Sequence, residues 1–211
     1  MVDVAAGTGI LSGQLRRAGL AVVAVEPVEE MLVQLMRTLP EVPALRGVAE
    51  QLPLASGSVA TVTVGEAFHW FDASAALAEA RRVLCAGGLL ALAWNRRDES
   101  VDWVARYAEA VVSELPDGRP YDRLDTLEDM VRAAGGFGPA EVLRVPNPRP
   151  SGPRQLVDRA ASTSFVADAD PEARGRVLDR VRELATSHPD LVGRDSFDLP
   201  YVTELWTWRA D

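Results

Sequence analysis

The sequence predicts an α/β fold: a doubly wound, mostly parallel sheet covered by helices on both faces. Three observations lead there. A short apolar run, Val2 to Ala6, ends in the turn Gly7-Thr8-Gly9. A second apolar run, Ala21 to Val25, ends in an acid, Glu26, 17 residues beyond Gly9. Strand-like and helix-like patterns then alternate as far as Asn95. The first two features form the layout of a nucleotide-binding βαβ unit, so the sheet is Rossmann-like. The third implies right-handed crossovers and helices on both faces.

The elements follow in order. Strand-like runs are Val2 to Ala6, Leu20 to Val25, Ala44 to Arg46, Val59 to Val64 and Leu89 to Trp94. Between the first two, Ile10, Leu11 and Leu15 share a helical face, with Gly19 as a stop. Met31, Leu32, Leu35 and Met36 repeat at helical spacing until Pro40. Ala76, Leu77, Ala80, Val83 and Leu84 do the same until Gly87-Gly88. Beyond Asn95 the rhythm loosens. Val101 to Leu115 and Leu124 to Ala134 read as amphipathic helices, the second ended by Gly135-Gly136. Ala140 to Val145 is a sixth strand. Pro146 to Pro153 holds four prolines in eight residues and reads as a loop. Asp170-Pro171 opens a helix, with Asp as N-cap and Pro in the first turn, and with Val177, Leu178, Val181 and Leu184 inward. Phe197 to Arg209 is a seventh, aromatic strand.

Composition narrows the function. The chain has 211 residues, 47% hydrophobic and 25% charged, the profile of an ordinary folded protein. No apolar run approaches the roughly 20 residues that span a bilayer, and no basic, apolar leader opens the chain. The net charge is −9, and all 22 basic residues are arginine. That acidity argues against a nucleic-acid partner. One cysteine, Cys85, and two histidines exclude an internal disulfide and make no metal centre. A cytoplasmic protein acting on a small molecule is the expectation.

In an open α/β sheet, ligands bind beyond the C-terminal strand ends, at the switch point. Four segments should converge there: Asp3 with Gly7-Thr8-Gly9; Glu26; Ala49-Glu50-Gln51-Leu52-Pro53; and Glu66-Ala67-Phe68-His69-Trp70-Phe71. In this order they resemble the class I S-adenosylmethionine-dependent methyltransferases, in the branch of the ubiquinone/menaquinone-biosynthesis and trans-aconitate enzymes. Gly7-Thr8-Gly9 matches the family's glycine-rich motif, Glu26 its ribose acid, and Ala49 to Pro53 its AE-x-LP stretch. Phe68-His69-Trp70-Phe71-Asp72 matches a fourth-strand motif. Arg82-Val83-Leu84 with Gly87-Gly88 matches the turn before strand five. The resemblance covers most of residues 1–97 and is looser over 98–211, where Ser162 to Phe165 and Leu199-Pro200-Tyr201 carry it.

The resemblance implies a seven-stranded sheet with an antiparallel last strand. Residues 1–97 would form the S-adenosylmethionine-binding core, and 98–211 the rest of the same domain, with substrate-side helices and the last strands. It also implies roles. Asp3 would orient the glycine loop and the cofactor's amine, and backbone at Ala5, Gly7, Thr8 and Gly9 would lie against the methionine part. Glu26 would hold the ribose hydroxyls. Pro27 and Met31 would contact the adenine, Ala49 and Glu50 its edge. Glu66, Ala67 and Phe68 would meet the methionine moiety from the other side. His69 is the candidate base for a hydroxyl acceptor; a carboxylate acceptor needs none. Arg96 and Arg97 are candidates for a substrate carboxylate, and Trp103, Tyr107, Tyr121 and Tyr201 for an acceptor pocket. Four residues depart from the family pattern. Ala5 stands for glycine, Val48 for aspartate, Glu66 for glutamine and Ala60 for aspartate. Relatives of this family carry several dozen residues ahead of the first strand, whereas Met1 lies inside it here. An N-terminally truncated chain is thus expected, with apolar surface near that strand favouring a homodimer. Two other readings compete. One is a non-catalytic protein that binds the cofactor or its demethylated product without a lid. The other, a nicotinamide-dependent oxidoreductase, needs a third glycine one residue earlier than Gly13.

Overall fold

The computed structural model describes residues 1–114 and 126–211. Tyr121, the expected end of one helix at Leu115 and the expected start of the next at Leu124 lie outside the described residues. The strands are β1 (Val2–Val4), β2 (Val23–Glu26), β3 (Ala44–Arg46), β4 (Val59–Gly65), β5 (Leu84–Arg97), β6 (Glu141–Pro146), β7 (Arg149–Ser151), β8 (Phe197–Leu199) and β9 (Tyr201–Arg209). The helices are α1 (Ile10–Arg17), α2 (Glu29–Thr38), α3 (Ala73–Val83), α4 (Asp102–Val112), α5 (Leu127–Ala134), α6 (Pro153–Ala161), α7 (Ser164–Ala167) and α8 (Pro171–Ser187).

Seven strands form one sheet in the order β3-β2-β1-β4-β5-β9-β6. β1, β2, β3, β4 and β5 pair in parallel. β9 runs the other way: Ala210, just past its end, exchanges backbone hydrogen bonds with Gly87 and Gly88 near the start of β5. This is the expected doubly wound α/β sheet with one antiparallel strand. The chain winds outward from β1 to β3, then crosses back to β4. The switch point therefore lies between β1 and β4.

The described residues divide into two compact units. One takes 1–94, 126–143 and 204–211, the other 95–114 and 144–203. In the first, Val2 and Val4 of β1, Val62 and Val64 of β4 and Leu90 and Leu92 of β5 pack against Leu77, Ala80 and Val83 of α3. Strands buried on both faces read as continuous apolar runs, which is why these were legible. In the second, Trp103, Tyr107 and Val111 of α4 pack with Leu156 and Ala160 of α6 and Val177 and Val181 of α8.

Several local readings change. Of the face expected from Ile10, Leu11 and Leu15, Leu11 and Leu15 are half-buried but Ile10 is 74% exposed, and Ser12 and Gly13 are the fully buried residues. Gly13 lets Leu39 approach; an added Cβ would meet its methyls at 3.3 Å. Of the α2 face, Leu32 and Leu35 are buried and Met31 and Met36 exposed. The proline-rich loop contains β7, which pairs antiparallel with β8. The last aromatic run is two strands, divided at Pro200, which has no N–H to donate to a ladder.

Candidate functional site

The site is built on backbone. Beyond β1 the chain passes through Ala5 (φ 54°), Gly7 (φ 58°) and Gly9 (φ 89°) before α1 begins. Gly9 is needed twice, since a Cβ there would also meet Leu39 at 2.7 Å and Leu35 at 2.9 Å. At Gly7 an added Cβ would point into open space. Beyond β4 comes Glu66 (φ 60°). Among the described residues, Ala5 and Glu66 are the only non-glycines at positive φ. They follow the two strands that flank the switch point. Such backbone strain concentrates where a ligand or a reaction dictates the geometry.

Glu26 ends β2 and is 3% exposed. Its Oε2 accepts the Gly7 N–H at 2.8 Å, and its Oε1 accepts the Val28 N–H at 2.9 Å. The carboxylate thus locks the glycine turn to the entry of α2. Each oxygen retains a lone pair for a second donor, which suits a vicinal diol. Asp3, 1% exposed in β1, accepts a hydrogen bond from Ser12 Oγ at 2.5 Å. Burial pushes its carboxyl up to about 6, against the lowering effect of Ser12, and the Glu26 charge adds to the rise. An acid held this far from water favours a cationic group beside it. Ser12 is a member of this assembly that the sequence did not single out; its signal was a polar residue on the inward face of α1.

The third and fourth segments are joined to each other. Val48 and Gln51 form a bridge across a tight turn. Ala49 and Leu52 are buried. Glu50 Oε1 accepts the Asp72 N–H at 2.9 Å, and Asp72 caps α3 by accepting from Ala75 N at 3.1 Å. Leu52 N–H donates to Glu79 Oε1 at 2.6 Å. Hydrogen bonding to Arg82 holds the Glu79 carboxyl below its ordinary value. Pro27 and Ala67 are half-buried, and Thr8 and Glu66 exposed. Phe68 is buried in the core and meets Phe71 edge-on at 5.8 Å between ring centres. His69 stacks obliquely on Trp70 at 4.8 Å.

Two surfaces suit a ligand in this unit. Val28, Met31 and Val48 are exposed apolar residues beyond β2 and β3, an environment for a flat base. Ile10, at the start of α1, and Trp70 (77% exposed), in the turn after β4, are exposed as well. A cavity of about 310 Å³ is lined by Phe68, His69, Phe71, Asp72, Leu127 and Met130. It is apolar, with one imidazole and one carboxylate. S-adenosylmethionine fits this donor set: a diol acceptor, an open glycine, a buried acid for an amine and apolar walls for an adenine. No His/Cys/Asp/Glu group among the described residues could hold a metal ion.

The comparisons agree with this geometry. A family model described as a methyltransferase domain matches residues 2–92. An uncharacterized methyltransferase of Mycobacterium tuberculosis is 39% identical over 203 residues, which cover 96% of this chain and 80% of the relative. A solved structure from Anabaena variabilis, described as a methyltransferase of an antibiotic biosynthesis pathway, is similar over 98% of this chain and 89% of its own, at TM-score 0.67 and 22% identity. The geranyl diphosphate C-methyltransferase of Streptomyces coelicolor, solved with S-adenosyl-L-homocysteine, matches 100% of this chain and 70% of its own, at TM-score 0.52 and 15% identity. At those identities the two solved structures share the fold. Together with the switch-point assembly, these likenesses mean that the chain belongs to the S-adenosylmethionine-dependent methyltransferase family.

Proposed function

We propose that this chain binds S-adenosylmethionine at the β1–β4 switch point and transfers its methyl group to a small-molecule oxygen nucleophile, a hydroxyl or a carboxylate. The observation that carries the reading is Glu26: buried, fixed by one backbone N–H per oxygen, and left with acceptor capacity for two hydroxyls. S-adenosylmethionine, when bound, would supply a sulfonium methyl for in-line attack by the acceptor oxygen, the carbon–sulfur bond breaking with its electron pair left on sulfur. Glu26 takes the ribose hydroxyls. Asp3 holds the amine, with Ser12 fixing its carboxylate. Ala5, Gly7, Thr8 and Gly9 present backbone to the methionine part, and Glu66, Ala67 and Phe68 bound it from β4. Pro27 and Met31 wall the adenine, and Ala49 and Glu50 meet its edge. Catalysis is then mainly alignment. His69, lining the cavity, takes the proton of a hydroxyl acceptor.

Residues 1–97 carry this cofactor site, and 98–211 supply the acceptor side. The branch of the trans-aconitate and ubiquinone/menaquinone enzymes is the nearest fit for the Phe68 to Asp72 motif. A net charge of −9 supports a small acceptor rather than a nucleic acid. No described helix is long and apolar enough to cross a membrane, which accords with a cytoplasmic site of action. Exposed Val142, Leu143 and Val145 on the edge strand β6 support a homodimer. Glu26→Ala should weaken S-adenosylhomocysteine binding by at least about tenfold, because charge-assisted hydrogen bonds contribute about 1.5–3 kcal/mol. Unchanged affinity in a folded variant would overturn the ribose assignment.

A further inference from the structure

The second unit carries an arrangement that the cofactor site does not use. Arg97, the last residue of β5, lays its guanidinium over the Tyr107 ring, with Cζ 4.9 Å from the ring centre. Arg159 of α6 does the same over Tyr201 at 5.9 Å. These four residues come from four elements, β5, α4, α6 and β9. The Tyr107 hydroxyl ties the first pair to the helix that carries the second. That hydroxyl donates to the Leu156 carbonyl of α6 at 3.3 Å. Burial pushes it up to about 12, and both guanidiniums act on it to lower it. Leu156 lies one turn before Arg159 on α6, so this hydrogen bond joins the Arg97–Tyr107 pair to the element that holds Arg159.

Like charges held together need a counter-ion. Among the described residues, neither guanidinium has an ion pair with a carboxylate. Arg176 and Arg180 behave otherwise: both pair with Glu114 in the same unit. Both Arg97 Nε and Arg159 Nε are buried and make no hydrogen bond. A buried, unbonded donor on a charged group is unfavourable, so such groups normally have partners. Both side chains are half-buried rather than extended into water. The nearby carboxylates are engaged elsewhere: Asp98 accepts from Ser100, and Asp158 lies 3.8 Å from Arg154. Within a chain of net charge −9, two such arginines are a local positive site. Stacking on tyrosine holds a guanidinium plane while leaving its edge for a planar, bidentate partner.

We propose that Arg97 and Arg159, held on Tyr107 and Tyr201, form an oxyanion-binding site that takes a carboxylate-bearing or phosphate-bearing small molecule. If residues 98–211 supply the acceptor side of the methyltransferase, the anion is a group of the acceptor itself; the site stands without that reading.

The test is titration of the full chain with benzoate, succinate and inorganic phosphate, followed by calorimetry and by the arginine Nε–H resonances. At least one probe should bind and shift both Nε–H signals, and should bind less tightly as salt rises. Arg97→Gln and Arg159→Gln should each weaken that binding about tenfold. Arg97→Lys and Arg159→Lys, which keep charge and stem, should weaken it less than Gln. Binding of a carboxylate but not phosphate would identify the ligand as a carboxylate, and the reverse as a phosphate. No binding by any probe, or equal binding by folded Gln variants, would overturn the proposal. S-adenosylhomocysteine affinity, measured in the same variants, tests the cofactor reading separately and should stay within about twofold of the parent.

Discussion

At the scale of single residues, the site is a set of local rules broken together. Asp3 is a carboxylate in a strand that would be better served by valine. Its folded carboxyl lies at about 6, against 3.8 for the ordinary group. Across that window the native state binds the proton more tightly than the unfolded state, so stability falls as pH rises from about 4 to 6 and is level above. Keeping Asp3 ionised at neutral pH therefore costs about 3 kcal/mol. Asp3→Asn should raise the melting temperature at pH 7.5 while weakening S-adenosylhomocysteine binding; denaturation and calorimetry on one sample check both. The parent's affinity for S-adenosylhomocysteine should also fall as pH drops through about 6, because the protonated acid no longer attracts an amine. A pH-independent Kd between 5 and 7.5 would contradict that role. Asp3, Gly7, Gly9 and Glu26 were legible as candidates because their spacing is a local pattern. Ser12 was not, because its importance arises only when α1 lies against β1. Ile10 was misread for the same reason: periodicity finds an apolar stripe, but not which part of it a ligand site leaves open.

At the scale of elements, caps and bulges divide the legible from the illegible. Asp170-Pro171 announced α8, and the Asp170 carboxylate accepts from Glu172 N and Ala173 N at 3.1 and 3.0 Å. Asp170→Ala should lower stability by about 1 kcal/mol in denaturant unfolding. Gly9→Ala should be more severe, by about 1–3 kcal/mol, since φ 89° is strained for alanine and its methyl meets Leu39. α6 does not stand out in the sequence although Gly152-Pro153 is a start signal, with Pro at the first turn; the three prolines just before it mask it. Gly87-Gly88 reads as a turn ending a helix. Instead β5 runs through it, with a register shift between Val59/Leu84 and Thr61/Leu89. The backbone partner is Ala210, more than a hundred residues away. No local pattern encodes backbone pairing with a partner that distant.

At the scale of the whole molecule, the mostly parallel, helix-covered sheet followed from strand–helix alternation. The second unit did not follow. Its helices pack on one another through Trp103, Tyr107, Leu156 and Val181, and such contacts have no fixed spacing in sequence. The Arg97 and Arg159 pair belongs to this class: the residues are 62 apart and gain meaning from burial. The proposed cofactor site, by contrast, draws on residues of the first unit alone, so its affinity should depend on the switch-point residues. The most direct measurement is isothermal titration of the 211-residue chain with S-adenosylmethionine and S-adenosylhomocysteine, alongside Glu26→Ala. Micromolar or tighter binding by the parent, weakened at least about tenfold in the variant, is the expected result. A folded parent that binds neither compound, or a variant that binds as the parent does, would contradict the assignment of the switch point as the cofactor site.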